Sequence, residues 1–266
     1  LQTVLVDFDP QGGGLDLAAF SNTHEGREYK PEPLDESVFH TKDLDPPHSA
    51  GSVTAQVAGG SMGGFVSAFA SSLAEKQAPG ATDPDVLKSV MGYLTPAQLP
   101  VYDHLARNFC VCDHWHCSIP GPTLPNRFYA VAGTTNGVLG NIDVIVGEFG
   151  KFKSFFRYLD RDAWRWYSSD PGVLRAVDEQ YSFDNDLDRF AYFDQATEVQ
   201  ERSFLTDVLE DGELPAVAWI DPNFVDFGGA AGSNDDHPPS DVRAGQELVL
   251  RVLDTAAEER FDRLVR

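Results

Sequence analysis

The apolar positions of this chain fall into short runs whose period changes, and the changes mark where strands give way to helices. Residues 1–9 read as a strand ending in the carboxylates Asp7 and Asp9, with a turn at Gly12, Gly13 and Gly14. Residues 21–52 are polar, rich in Pro, Asp, Glu and His, and without period, which predicts a long irregular excursion over the surface. Val53, Ala55 and Val57 alternate as in a strand, whereas Phe65, Ala68, Phe69 and Leu73 recur at helical spacing. A helix beginning at Thr95 and Pro96 and running through 101–106 leads into 108–112, which reads as a short buried strand.

Further along, the pattern predicts a helix over 154–159, a strand over 164–167 and an acidic segment over 182–213 that turns helical at its end. A buried strand over 215–220 and a helix over 242–256 follow. Strands alternating with helices predict an α/β fold whose sheet is largely parallel and flanked by helices. At 266 residues the chain is long enough for a substantial core and is expected to form a single domain.

The most informative transition lies between 108–112 and the next helix. Pro120, Gly121 and Pro122 break regular structure, and Thr123 stands at the start of a helix that runs through 126–132. Pro125 suits that helix's first turn, and Gly133 its end. A hydroxyl at a helix start sits among unpaired backbone N–H groups and at the positive end of the dipole, a setting for a bound phosphate or a developing alkoxide. Thr123 is therefore the candidate nucleophile. On these residues alone it fits a structural N-cap as well.

Charge narrows the partners. With 42 acidic against 20 basic residues the formal charge is −22, so duplex nucleic acid would be repelled. A phosphate site here needs a local reversal of the field, most simply from metal ions. No apolar run is long enough for a transmembrane helix. Cys110, Cys112 and Cys117, interleaved with His114 and His116, superficially resemble a zinc set but lack a second ligand pair at a distance. A buried structural role is expected, with metal binding or a 112–117 disulfide as alternatives.

Thr123-Leu124-Pro125-Asn126-Arg127, inside the run from Cys117 to Thr134, resembles the nucleophile segment of the bacterial phosphoesterase family. That family includes phospholipases C and acid phosphatases and belongs to the alkaline-phosphatase-like superfamily. Asp45-Pro46-Pro47-His48 is similar to its Asp-Pro-x-His segment, and Asp236-His237-Pro238-Pro239 to its Asp-His-Pro-Pro segment. The resemblance runs from about residue 14 to 245, most specifically over 91–135 and 215–245.

It implies an alkaline-phosphatase-like fold and attack of Thr123 on phosphorus, giving a phosphothreonine that water then hydrolyses. His48 and His237 would hold phosphoryl oxygens or protonate the leaving group, with Asp236 a weaker neighbour. Asn126 and Arg127 would shape the helix start or contact phosphate. A divalent metal ion of unspecified identity is implied as cofactor, with Thr123 as a bridging ligand. The family's early Glu-Asn and late Asp-Glu-His metal motifs do not occur here. The expectation is therefore a fragment of a longer domain, or a member without the metal site. The implied substrate is a phosphate ester or phospholipid, and the family setting suggests a secreted or periplasmic protein. The sequence leaves oligomeric state and localisation open.

Three other readings stay open: an acid phosphatase acting on soluble phosphomonoesters, a non-catalytic phosphate or lipid-headgroup binding module, and an esterase. The esterase reading rests on Gly59-Gly60-Ser61-Met62-Gly63, which matches the Gly-x-Ser-x-Gly nucleophile elbow and would make Ser61 the nucleophile.

Overall fold

The computed structural model describes residues 17, 19–35, 45–112, 115–141, 151–168, 170, 172–181, 187–193, 203–208, 214–224, 233–237 and 241–257. The expected strand over 1–9 and the glycine turn after it lie outside these, as does most of the acidic segment 182–213. The described residues form a mixed α/β fold with small sheets. They divide into two compact units, the first comprising 1–122 with 236–246, the second 123–235 with 247–266.

The first unit opens with a hairpin of β1 (Asn22–His24) and β2 (Arg27–Tyr29), in the stretch expected to be irregular. Glu25 and Gly26 turn it with φ of 49° and 78°, the paired left-handed conformation that matches strand twist. Strand β3 (Glu32–Pro33) pairs in parallel with β4 (Gly92–Tyr93). Helix α1 (Ala50–Val57) occupies the segment whose alternation predicted a strand. Ser49 decides the outcome, because its side chain caps the first turn by accepting from Ser52 N–H.

Helix α2 (Phe65–Glu75) is as expected and buries Val66, Phe69, Ala70 and Leu73. Its start approaches α1 so closely that a Cβ on Gly64 would lie 1.9 Å from the Ala55 carbonyl oxygen. Buried Asn22 fixes that junction, donating to the Met62 carbonyl and accepting from Val66 N–H. Tyr29, Leu87 and Met91 complete this core, Leu87 ending the short helix α3 (Pro84–Leu87). Helix α4 (Pro100–Asn108) begins later than the sequence suggests, at a proline suited to a first turn.

After α4 the expectation of a buried strand over 108–112 fails. Asn108 still belongs to the helix, Phe109 onward forms no strand, and Cys110, Cys112 and Cys117 are exposed and outside any disulfide. The apolar run had no sheet neighbour among the described residues to bury it.

The second unit is built on a parallel sheet in the order β6-β5-β7. Strand β5 (Trp164–Tyr167) lies between β6 (Phe190–Ala191) and β7 (Val217–Ile220), Trp166 facing Phe190 on one side and Trp219 on the other. Strand β7 is half-buried rather than buried. Helix α5 (Thr123–Ala132) delivers Phe128 and Val131 to an aromatic core with Phe152, Phe156, Trp164, Trp166 and Tyr181. Helix α6 (Val173–Val177) adds Leu174 and Val177 to it. A second cluster gathers Tyr167, Ala191, Phe193 and Phe204, the last from α7 (Phe204–Thr206). Helix α8 (Val242–Ala257) supplies Leu248 and Val252 to that cluster, while its first residues through Gln246 belong to the first unit.

Buried carboxylates pin this unit. Asp178, fully buried after α6, accepts from Ser154 N–H at 2.9 Å, Ser154 Oγ–H at 2.8 Å and Arg157 Nε–H at 2.8 Å. Burial by itself would raise its pKa, but these bonds, Arg157 foremost, hold the carboxyl below its ordinary 3.8. A depressed folded pKa contributes stability that is complete above the unfolded value and lost as pH falls through the folded one. Acid should therefore weaken the wild type below about pH 4, and Asp178→Asn should remove that dependence. Urea midpoints at about pH 6 and pH 3 check this: the wild-type advantage over the variant should shrink at the lower pH. An unchanged advantage would contradict the assignment.

Candidate active site

In the first unit, two chain segments bring their histidines together. Asp45-Pro46-Pro47-His48 precedes the Ser49 cap of α1, and its backbone is held from both directions. Buried Gln56 of α1 donates from Nε2 to the Pro47 carbonyl at 2.6 Å, and His48 Nδ1–H donates to the Pro46 carbonyl at 2.9 Å. Asp45 Oδ1 lies 3.7 Å from the same nitrogen. A carbonyl on Nδ1 fixes the tautomer and leaves Nε2 as the outward-working atom.

His237 follows on the loop 233–237 before α8, exposed to solvent, and its ring stands edge-on to that of His48 with centroids 5.5 Å apart. Asp45, His48 and His237 each offer one ligand atom, and these lie within 4.8 Å of one another. Two nitrogens and a carboxylate oxygen form a donor set that divalent first-row ions accept, so the residues present fit a metal ion. The two imidazoles, without the Asp45 carboxylate, also suit a phosphoryl group, whose oxygens accept from imidazole N–H.

Asp236 is engaged by α4 and packs against α8. Its backbone is left-handed, with φ of 55°, and its Oδ2 accepts a short hydrogen bond from the Tyr102 hydroxyl of α4. A Cβ at Gly245 of α8 would lie 2.0 Å from Asp236 Oδ1, so this carboxylate packs where a side chain would otherwise stand. Burial first, and then the bond to Asp236, push the Tyr102 hydroxyl well above its ordinary pKa and keep it a donor. Neither Tyr102 nor Gly245 was singled out from the sequence. The available signal was a tyrosine on a helix that packs, since a half-buried hydroxyl requires a partner.

In the second unit, Thr123 is the first residue of α5 and is exposed. The strand expected before it is absent, and residues 118–121 are bends. Pro125 is buried in the first turn and has no N–H to leave unpaired, while Leu124 N–H donates to Asn141 Oδ1 at 2.9 Å. Gly133 ends the helix with φ of 72°.

Asn126 is half-buried on α5. Arg127 is committed within the protein: Nη1 donates to Asp221 Oδ1 at 2.7 Å, and its guanidinium lies 4.5 Å from the Phe224 ring centre. Asp221, at the end of β7 and 3% exposed, also accepts from Trp166 Nε1 at 3.0 Å and Trp219 Nε1 at 3.1 Å. The ion pair fastens the Thr123 helix to the sheet.

The elbow geometry that an esterase needs is not formed. Gly-x-Ser-x-Gly requires a strand leading into the serine, but α1 precedes Ser61, whose Oγ–H donates to the Ala58 carbonyl at 3.0 Å.

The sequence profile of the phosphoesterase family matches residues 6–260, and the chain belongs to that family. It is 31% identical to non-specific phospholipase C6 of Arabidopsis thaliana over 215 residues, which cover 80% of this chain and 38% of that protein. Non-specific phospholipase C1 of the same plant is 30% identical over 234 residues, 83% of this chain and 39% of the relative. Phospholipase C A of Mycobacterium tuberculosis is 24% identical over 184 residues, 61% and 33% of the two chains. The chain spans about two fifths of the length of the two plant relatives.

Removing one member of a buried ion pair strands the other charge, typically at about 3–5 kcal/mol. Asp221→Ala should cost about that much in urea unfolding followed by tryptophan fluorescence, because Trp166 and Trp219 report the site directly. A loss under about 1 kcal/mol would show that Arg127 is not anchored there.

Proposed function

We propose that this chain carries the nucleophile and the phosphate ligands of a phosphoric ester hydrolase of phospholipase C type, within an alkaline-phosphatase-like domain. The observation that carries the reading is the approach of His48 and His237, from segments that resemble the family's phosphate-site motifs, to 5.5 Å between ring centres. In a chain of formal charge −22, paired imidazoles are an economical way to receive an anion.

Thr123 Oγ gives up its proton to solvent and forms a bond to phosphorus as the phosphorus–oxygen bond to the leaving alcohol breaks. The alcohol departs with a proton, and water then attacks the phosphothreonine to return the hydroxyl. Carrying a proton on Nε2 of His48 as well as on Nδ1, and one on the working nitrogen of His237, the two rings donate to phosphoryl oxygens, and either one protonates the leaving oxygen. Pro46, bonded to Nδ1 of His48, keeps Nε2 directed to that work.

Asp45, His48 and His237 are the described residues suited to hold a divalent ion, which would supply positive charge against the phosphoryl oxygens. The resemblance adds Thr123 as a bridging ligand. The relatives named phospholipase C favour a phospholipid substrate over a soluble phosphomonoester.

Thr123→Ala should lower hydrolysis of phosphatidylcholine by at least about 10³-fold in the intact protein supplied with divalent ions. Acid quenching during turnover should trap the phosphoryl group, still esterified to choline, on Thr123 in the wild type. Full activity in the variant would refute the nucleophile. Binding of phosphorylcholine without turnover under any metal would support a non-catalytic module instead.

A further inference from the structure

We propose that Tyr102 is a positioning residue for His237, acting through Asp236. The inference rests on the reading that His237 donates to a phosphoryl oxygen, and it names the support that makes such a donation possible. His237 is exposed and sits on a loop. The residue before it is held in a left-handed conformation, which an aspartate tolerates but which persists only where surroundings impose it.

Those surroundings are specific. The Tyr102 hydroxyl of α4 donates to Asp236 Oδ2, and Gly245 of α8 leaves the space in which the carboxylate lies. The two helices that form this seat are themselves clamped together. Gln246, 5% exposed, accepts from Val101 N–H at 3.1 Å and donates to the Gln98 carbonyl at 2.9 Å. The seat is thus rigid, and Asp236 is lodged in it with its backbone already turned. His237 leaves that turn one residue later and meets His48 edge-on.

Without the tyrosine hydroxyl, Asp236 keeps its packing against Gly245 but loses the bond that fixes its rotation. The turn relaxes, and the His237 ring no longer holds its place beside His48. Because a phosphoryl group needs both rings at once, the loss appears as weakened anion binding. Outer supports of this kind typically matter by about 10–100-fold in binding or activity.

Calorimetric titration of the intact protein with inorganic phosphate tests the proposal. His237→Ala should weaken phosphate binding strongly, and Tyr102→Phe by about 10-fold. In the His237→Ala background Tyr102→Phe should have no further effect, an outcome that a merely structural role would not produce. Asp236→Asn, which preserves an acceptor for the tyrosine, should bind better than Asp236→Ala, and this pair carries the test if Tyr102→Phe does not fold. Wild-type affinity in Tyr102→Phe, with affinity lost in His237→Ala, would overturn the positioning role alone. An undiminished loss from Tyr102→Phe in the His237→Ala background would do the same. Wild-type affinity in His237→Ala would overturn the phosphate reading and the proposal with it.

Discussion

A buried carboxylate in so acidic a chain must be neutralised where it lies, and this requirement organises the second unit. Asp178, Asp207 and Asp221 are each nearly or fully buried, and each meets an arginine: Arg157, Arg165 and Arg127. The pairs cannot be traded for solvent, because removing water from a lone carboxylate costs several kcal/mol or more. They also draw on a limited supply, 20 basic against 42 acidic residues. Arg127 shows the consequence, for a guanidinium one turn into the Thr123 helix would be a natural phosphate ligand, yet it is fastened to Asp221 at the end of β7. That pair anchors the helix to the sheet.

The first unit brings two imidazoles together. The histidine pair is assembled by segments far apart in the chain, and each is held by a different device. His48 is placed by its neighbours: two prolines, the Pro46 carbonyl on Nδ1, and Gln56 reaching back from α1. His237 is placed by a seat on α4 and α8, made of a tyrosine hydroxyl, a missing side chain and a glutamine clamp. Local rigidity in one case and tertiary support in the other produce the same result, an imidazole with little freedom to move.

Much of this was legible in the sequence where the signal was local. The Thr123 helix with its first-turn proline and terminal glycine, the aromatic strand β5 and the long helix α8 follow from period and punctuation alone. Thr123 stood out as a hydroxyl at a helix start, a position with an ordinary explanation as a cap, and His48 and His237 only through the resemblance, since a loop histidine is usually solvated surface.

Other expectations failed for identifiable physical reasons. Val53, Ala55 and Val57 alternate as in a strand, but the Ser49 cap and the close approach at Gly64 settle a helix. The run from Phe109 to Cys112 looked like core, yet Phe109, Cys110 and Cys112 are exposed, because burial depends on neighbours that a one-dimensional pattern does not display. Arg127 and its partner are separated by 94 positions, and Tyr102 and Asp236 by 134, distances at which no spacing rule operates.

The central claim is that His48 and His237 receive one phosphoryl group between them. The most direct measurement follows the ring nitrogen resonances of both histidines while inorganic phosphate is added to the protein. The account predicts that Nε2 of His48 and the ring of His237 shift together along a single binding curve, with Nδ1 of His48 remaining protonated against the Pro46 carbonyl. Shifts confined to one ring, or two curves with different midpoints, would contradict it.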